Sequence, residues 1–185
     1  VQITTNDLKN GYVLDIDGDL LSVVSFQHVK PGKGGAFVRT KLRNMASGSV
    51  VDRTFRAGEK VERVTTEQKP MEFLYEEADG LVLMDKQSYE QITISADSVE
   101  NLDLLAPNVD VQVLFVRDRP FRVELPTFVE LRVVRTDPGV KGDTVSNVHK
   151  PAELETGATI NVPLFINEGD TLRVDTRTRE YSTRV

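Results

Sequence analysis

The 185 residues are 39% hydrophobic and 28% charged, the balance of an ordinary folded chain, and no apolar run approaches the roughly 18 residues that a membrane helix needs. Cysteine is absent and histidine occurs twice, which excludes disulfides and thiolate metal sites and argues against a histidine-based metal or acid–base centre. The net charge of -6 speaks against a nucleic-acid partner for the chain taken whole, yet residues 1–65 hold ten Lys/Arg against seven Asp/Glu, residues 66–127 five against thirteen, and residues 128–185 eight against nine; the first third is basic.

In chain order, Val1 to Asp7 shows neither the basic start nor the apolar run of a signal peptide, so a cytoplasmic protein is expected. Tyr12 to Ile16 and Leu20 to Gln27 alternate as strands about an Asp17-Gly18-Asp19 turn. The acids Asp15, Asp17 and Asp19 resemble half of a calcium loop, but Ser25 stands where the closing Glu would be, and the turn reading is preferred. Lys30-Pro31-Gly32-Lys33-Gly34-Gly35 then predicts a hairpin tip that holds Lys33 in solvent with no neighbouring side chain to shield its amine. Phe37 to Arg43 leaves the tip with Arg39, Lys41 and Arg43 on one face, spaced by roughly 6.6 Å, on the order of a nucleic-acid phosphate repeat. Val50 to Arg56 follows the Ser47-Gly48-Ser49 turn.

The charge sign changes near residue 66, where a second unit is placed over 66–127. Phe73 to Tyr75, Leu81 to Met84 and Tyr89 to Ile94 read as strands. Ser95 to Ala106 predicts a helix capped by Asp97 with Glu100 and stopped by Pro107. Val109 to Phe115 and Phe121 to Leu125 complete the unit, whose acids should keep RNA contacts few. A third unit, 128–185, contains strands at Phe128 to Arg135, Thr159 to Ile166 and Thr171 to Asp175, a long polar loop from Lys141 to Lys150, and Pro163, which must sit at a sheet edge or a bulge. Three small β-barrels in an extended rod satisfy this all-β pattern, each unit being marginal alone.

No catalytic constellation is present: there is no GxSxG, HExxH, GxGxxG or phosphate loop. A glycine-flanked, solvated Lys33 is also the wrong setting for a Schiff-base nucleophile, which needs a desolvated pocket. The chain is therefore expected to be no enzyme, and no catalytic or metal-ligating residue is assigned.

Several stretches together resemble bacterial translation elongation factor P: Phe26 to Arg43, Val51 to Phe55, Tyr75, Met84-Asp85 with Tyr89-Glu90-Gln91, Asp137-Pro138-Gly139 through Gly142-Asp143-Thr144, Lys150-Pro151-Ala152, Leu154 to Ala158, Val162 to Phe165, Val174 to Arg177, and Glu180-Tyr181. The resemblance implies an SH3-like (KOW) barrel over 1–65 followed by two OB-type barrels over 66–127 and 128–185, in an L that mimics tRNA. It implies a monomer without cofactor or membrane partner that binds the ribosome between the peptidyl-tRNA and exit sites and relieves stalling at consecutive prolines. Lys30 to Gly35 would be the tip at the acceptor end of the P-site tRNA, with Arg39, Lys41 and Arg43 behind it. Gly142, Asp143, Thr144, Tyr181 and Arg184 would contact RNA from the third barrel. Covalent extension of Lys33 by a lysine-modifying enzyme is left open, since Gly35 stands where some members that use a bare lysine carry a second proline. Arg179 replaces a common turn glycine, and Asn147-Val148-His149 a glycine-rich stretch. Alternatives are a factor of the same fold serving another ribosomal state, or a KOW/OB RNA-binding module coupled to transcription.

Overall fold

The computed structural model describes residues 1–139 and 148–185. Their secondary structure is strands and short 3-10 turns. By packing they divide into one unit of Val1–Glu67 with Val116–Arg119 and another of Gln68–Phe115 with Pro120–Val185.

The first sheet contains β1 (Gln2–Thr4), β2 (Val13–Ile16), β3 (Asp19–Val29), β4 (Phe37–Asn44), β5 (Val50–Arg56) and β6 (Lys60–Val64), in the order β1-β6-β2-β3-β4-β5. Period-two alternation turns Leu14, Val23, Val38, Leu42 and Phe55 into one apolar cluster and leaves the intervening polar residues outside. β3 and β4 pair antiparallel as far as Val29 opposite Phe37, and a bulge lies between Val23 and Ser25. The Asp15 to Asp19 segment is a turn, as expected. Asp15 accepts a hydrogen bond from Gly18 N at 3.1 Å and pairs with Arg117 Nη2 of the same unit at 2.6 Å, so its carboxylate is already committed.

The second sheet contains β7 (Thr66–Glu77), β8 (Gly80–Asp85), β9 (Gln91–Ile94), β10 (Asp110–Val116) and β11 (Arg119–Glu124), ordered β11-β10-β7-β8-β9. The third contains β12 (Phe128–Thr136), β13 (His149–Leu154), β14 (Thr159–Pro163), β15 (Thr171–Asp175) and β16 (Glu180–Arg184), ordered β14-β13-β12-β15-β16. Pro163 ends β14 at the margin of this order, where its missing N–H interrupts no ladder. Leu131, Val133, Leu154, Val162, Leu172 and Val174 fill the third core.

The helix expected over Ser95 to Ala106 does not form. Two single 3-10 turns, Ala96–Ser98 and Leu102–Leu104, stand in its place. Between them Val99 is extended and bridges Val123, and Asn101 is left-handed with φ 57°, a conformation that breaks a right-handed helix. Asp97 does not cap; its N–H donates to Ser95 Oγ at 3.3 Å. The broken geometry serves two cores at once, with Leu105 in the second and Leu104 in the third. Strands β1, β6, β13 and β16 were not expected. β13 hides behind Lys150, which occupies an inward position at 7% exposure and donates from Nζ to Asp137 O.

Candidate functional site

The β3–β4 hairpin carries the candidate tip. Lys30, Pro31, Gly32, Lys33, Gly34 and Gly35 all lie in solvent between the two strands. Gly34 has φ +101°, where an L side chain would be strained. Gly32 and Gly35 have no such φ, and a Cβ on either would meet nothing within 4 Å. The chain's own sterics therefore call for one glycine here and leave the other two without an internal reason.

The strand leaving the tip obeys its alternation. Val38, Thr40 and Leu42 are buried, while Arg39, Lys41 and Arg43 are exposed. Thr40 is a polar residue in the core, and its hydroxyl is satisfied by donation to Arg53 O at 2.7 Å. Arg39 lies 5.4 Å from the Phe37 ring centroid and Arg53 5.2 Å from that of Phe55, contacts that steady guanidinium groups without neutralising them. Arg39, Lys41 and Arg53 line an open groove of about 690 Å³ together with Ser25 and Gln27. Arg53 escaped the sequence reading because alternation sets it opposite Thr40; its place in the Val51 to Phe55 stretch was the available signal.

Among the described residues, Lys30, Lys33, Arg39, Lys41 and Arg43 form no ion pair with a carboxylate. Cations of the other unit are largely partnered: Lys86 with Asp110, Arg135 with Glu153, Arg177 with Asp175, and Arg179 with Asp103. Cations without a carboxylate partner are thus common in the first unit, the tip hairpin included, which suits that hairpin to a polyanion.

Tyr181 and Arg184 belong to the other unit. Gly142, Asp143 and Thr144 lie outside the described residues, as does Asn147. Tyr181 on β16 is half-buried against the third core. Arg184, on the same strand, stacks 5.5 Å from the Phe165 centroid, with Nη1 3.8 Å from Asp170 Oδ2. Phe165 is 58% exposed, so this pair presents a flat cationic and aromatic surface. Arg179 does occupy a left-handed turn position, with φ 62°.

No helix of the described residues is long and apolar enough to cross a membrane, and no cluster of potential metal ligands occurs among them.

The sequence matches three family models in succession: the elongation factor P KOW-like domain over residues 4–61, the elongation factor P OB domain over 66–123, and the elongation factor P C-terminal domain over 129–184. It is 56% identical over 184 residues to an elongation factor P of Natranaerobius thermophilus, covering 99% of this chain and 98% of that one. It is 55% identical over 183 residues to an elongation factor P of Frankia casuarinae, covering 98% of each. Among solved structures, a eukaryotic translation initiation factor 5A from Methanococcus jannaschii superimposes with a TM-score of 0.53 at 25% identity, over 66% of this chain and 93% of that one. The all-β architecture of a KOW-like domain followed by OB-type domains agrees with these matches, and the chain belongs to the elongation factor P family, whose members are translation factors and not enzymes.

Proposed function

We propose that this chain binds the ribosome between the peptidyl-tRNA and exit sites and brings the Lys33 amine to the acceptor end of the P-site tRNA, relieving stalls at consecutive prolines. The observation that carries the reading is the exposed Lys33 tip, continuous with the unpartnered Arg39, Lys41 and Arg43 of β4. The action is positional. An ammonium donor bonded to the negative backbone of the acceptor end restrains it, so less entropy is lost on reaching an attack-ready geometry, and the ribosome's peptide transfer accelerates without a reacting group from this protein.

The glycines support the same reading. Gly32 and Gly35 are dispensable for the chain's own geometry, and their missing side chains let another molecule approach the backbone closely. In the third barrel, Tyr181 and Arg184 are the described residues proposed to touch RNA, together with Gly142, Asp143 and Thr144. The Lys33 amine is also the proposed acceptor for a lysine-modifying enzyme; a peptide-level mass of the protein from its native source shows whether it carries an adduct.

The deciding experiment is reconstituted translation of a message with consecutive prolines. Lys33→Ala should remove the stimulation while leaving the thermal midpoint unchanged. Full rescue by Lys33→Ala would refute the assignment.

A further inference from the structure

Each of the three sheets contains a turn of the same construction. In Asn44–Ser49, Asn44 Oδ1 accepts from Ala46 N at 2.9 Å and Ser47 N at 3.0 Å, and Asn44 O accepts from Gly48 N at 2.8 Å. In Asp85–Glu90, Asp85 Oδ1 accepts from Gln87 N at 2.7 Å and Ser88 N at 3.1 Å, and Asp85 O accepts from Tyr89 N at 2.9 Å. In Asp175–Glu180, Asp175 Oδ1 accepts from Arg177 N at 2.9 Å and Thr178 N at 3.4 Å, and Asp175 O accepts from Arg179 N at 2.8 Å. The residue before the last is left-handed in all three: Gly48 at φ 74°, Tyr89 at 61° and Arg179 at 62°.

Glycine takes this conformation freely, whereas a bulky residue is strained in it. The first turn uses glycine. The third accepts the strain and uses the side chain internally, since Arg179 forks onto Asp103 and also reaches Asn101. The second accepts the strain for Tyr89, which is 72% exposed and whose side chain forms no hydrogen bond or ring contact among the described residues. An aromatic ring held out from a strained backbone, without internal use, suits an external partner.

The surrounding charge selects the partner's chemistry. Asp85 and Glu90 bound the turn that carries the ring, Lys86 is paired with Asp110 at 2.5 Å, Glu72 also acts on Lys86, and Lys69 acts on Asp85. These four acids outnumber the two cations, so RNA phosphate is disfavoured. A guanidinium is favoured instead, because it stacks on an aromatic face while pairing with a carboxylate. We propose that Tyr89 and Glu90 form a second anchor, docking an arginine-bearing segment of a basic protein of the ribosome. This rests on the ribosomal reading above but uses a site remote in sequence from the Lys33 tip.

The test titrates ribosomes carrying peptidyl-tRNA with the parent, Tyr89→Gly and Tyr89→Phe, and places a benzophenone amino acid at position 89 for photocrosslinking. Tyr89→Gly should bind about tenfold more weakly, the scale of a lost cation–π anchor, with a thermal midpoint equal to or above the parent's. Tyr89→Phe should bind like the parent, and the crosslink should go to protein. Undiminished binding by Tyr89→Gly, or a crosslink to RNA alone or to nothing, overturns the anchor and leaves the Lys33 reading standing. Failure of the parent itself to bind ribosomes overturns both.

Discussion

The guanidinium of Arg179 meets the carboxylate of Asp103 edge to edge, with Nη1 at 2.6 Å from Oδ1 and Nη2 at 2.7 Å from Oδ2, from a backbone held at φ 62°. Nη1 also donates to Asn101 Oδ1 at 3.1 Å, and Asn101 Nδ2 donates to Thr176 O at 2.8 Å, so the contact ties the 3-10 region after β9 to the β15–β16 turn. The strained backbone costs about 1 to 2 kcal/mol. The fork is the stronger kind of ion pair, but its side chains are 36% and 46% exposed, and solvent screening holds it to about 1 kcal/mol or less. The two effects nearly offset. Arg179→Gly, which loses both, should unfold within about 1 kcal/mol of the parent, whereas Arg179→Ala, which loses the pair and keeps most of the strain, should fall below Arg179→Gly by about 1 kcal/mol. Urea unfolding at neutral pH measures the order, and coincident midpoints for the two variants would contradict it.

The tip makes a prediction of opposite character. A methyl group on Gly32 or Gly35 meets open space, and replacing either glycine narrows the unfolded ensemble, so Gly32→Ala and Gly35→Ala should hold or raise stability by up to about 1 kcal/mol. If another molecule's backbone must approach these positions, both variants should nevertheless lose stimulation of proline-rich synthesis. Stability and activity then move in opposite directions, as a plain flexible turn would not require. Unchanged stimulation by both variants would show that the glycines serve no close approach.

What could be read in advance followed periodicity, and what could not involved residues that serve more than one neighbour. β4 was legible because Val38, Thr40 and Leu42 alternate cleanly with Arg39, Lys41 and Arg43, and the tip because turn residues sit between two such strands. Ser95 to Ala106 misled because Leu104 and Leu105 look like one apolar helix face, yet they enter different cores, which single-segment periodicity cannot express. β13 was obscured by Lys150, whose inward placement depends on an acceptor at Asp137 that becomes adjacent only on folding. Arg179 stands where a turn glycine is common, a local signal, but its partner Asp103, 76 residues away, lies beyond any local rule.

The basic face predicts a salt signature. If Arg39, Lys41 and Arg43 each neutralise a phosphate, changing one to Gln should lower the slope of log affinity against log salt concentration by about 0.7 to 0.9. The triple change should lower it by roughly three times as much, with little effect on folding because all three side chains are exposed. Ribosome binding titrated across a salt series reads this directly. A slope unaltered by the triple change would remove β4 from the RNA-facing surface, whatever the effect on affinity at one salt concentration.

Asp175 sets an acid limit on the third barrel. Its pKa is pushed down to about 2, first by the Arg177 side chain, whose Nη2 lies 2.9 Å from Oδ2, and then by the Arg177 backbone N–H. The folded value lies below the ordinary 3.8, so folding favours the ionised carboxylate. Its contribution is complete above about pH 4 and is lost as the pH falls through about 2. Asp103 is shifted in the same direction by Arg179, so the parent should lose stability from both sites in acid. Asp175→Asn keeps an oxygen that can accept from the turn N–H groups and removes the charge that holds Arg177. It should melt below the parent at neutral pH, with a gap that closes between about pH 4 and about pH 2. Thermal midpoints of the two proteins across that range test the linkage, and a gap of constant size at every pH would show that the Asp175 carboxylate does not titrate as the Arg177 contact requires.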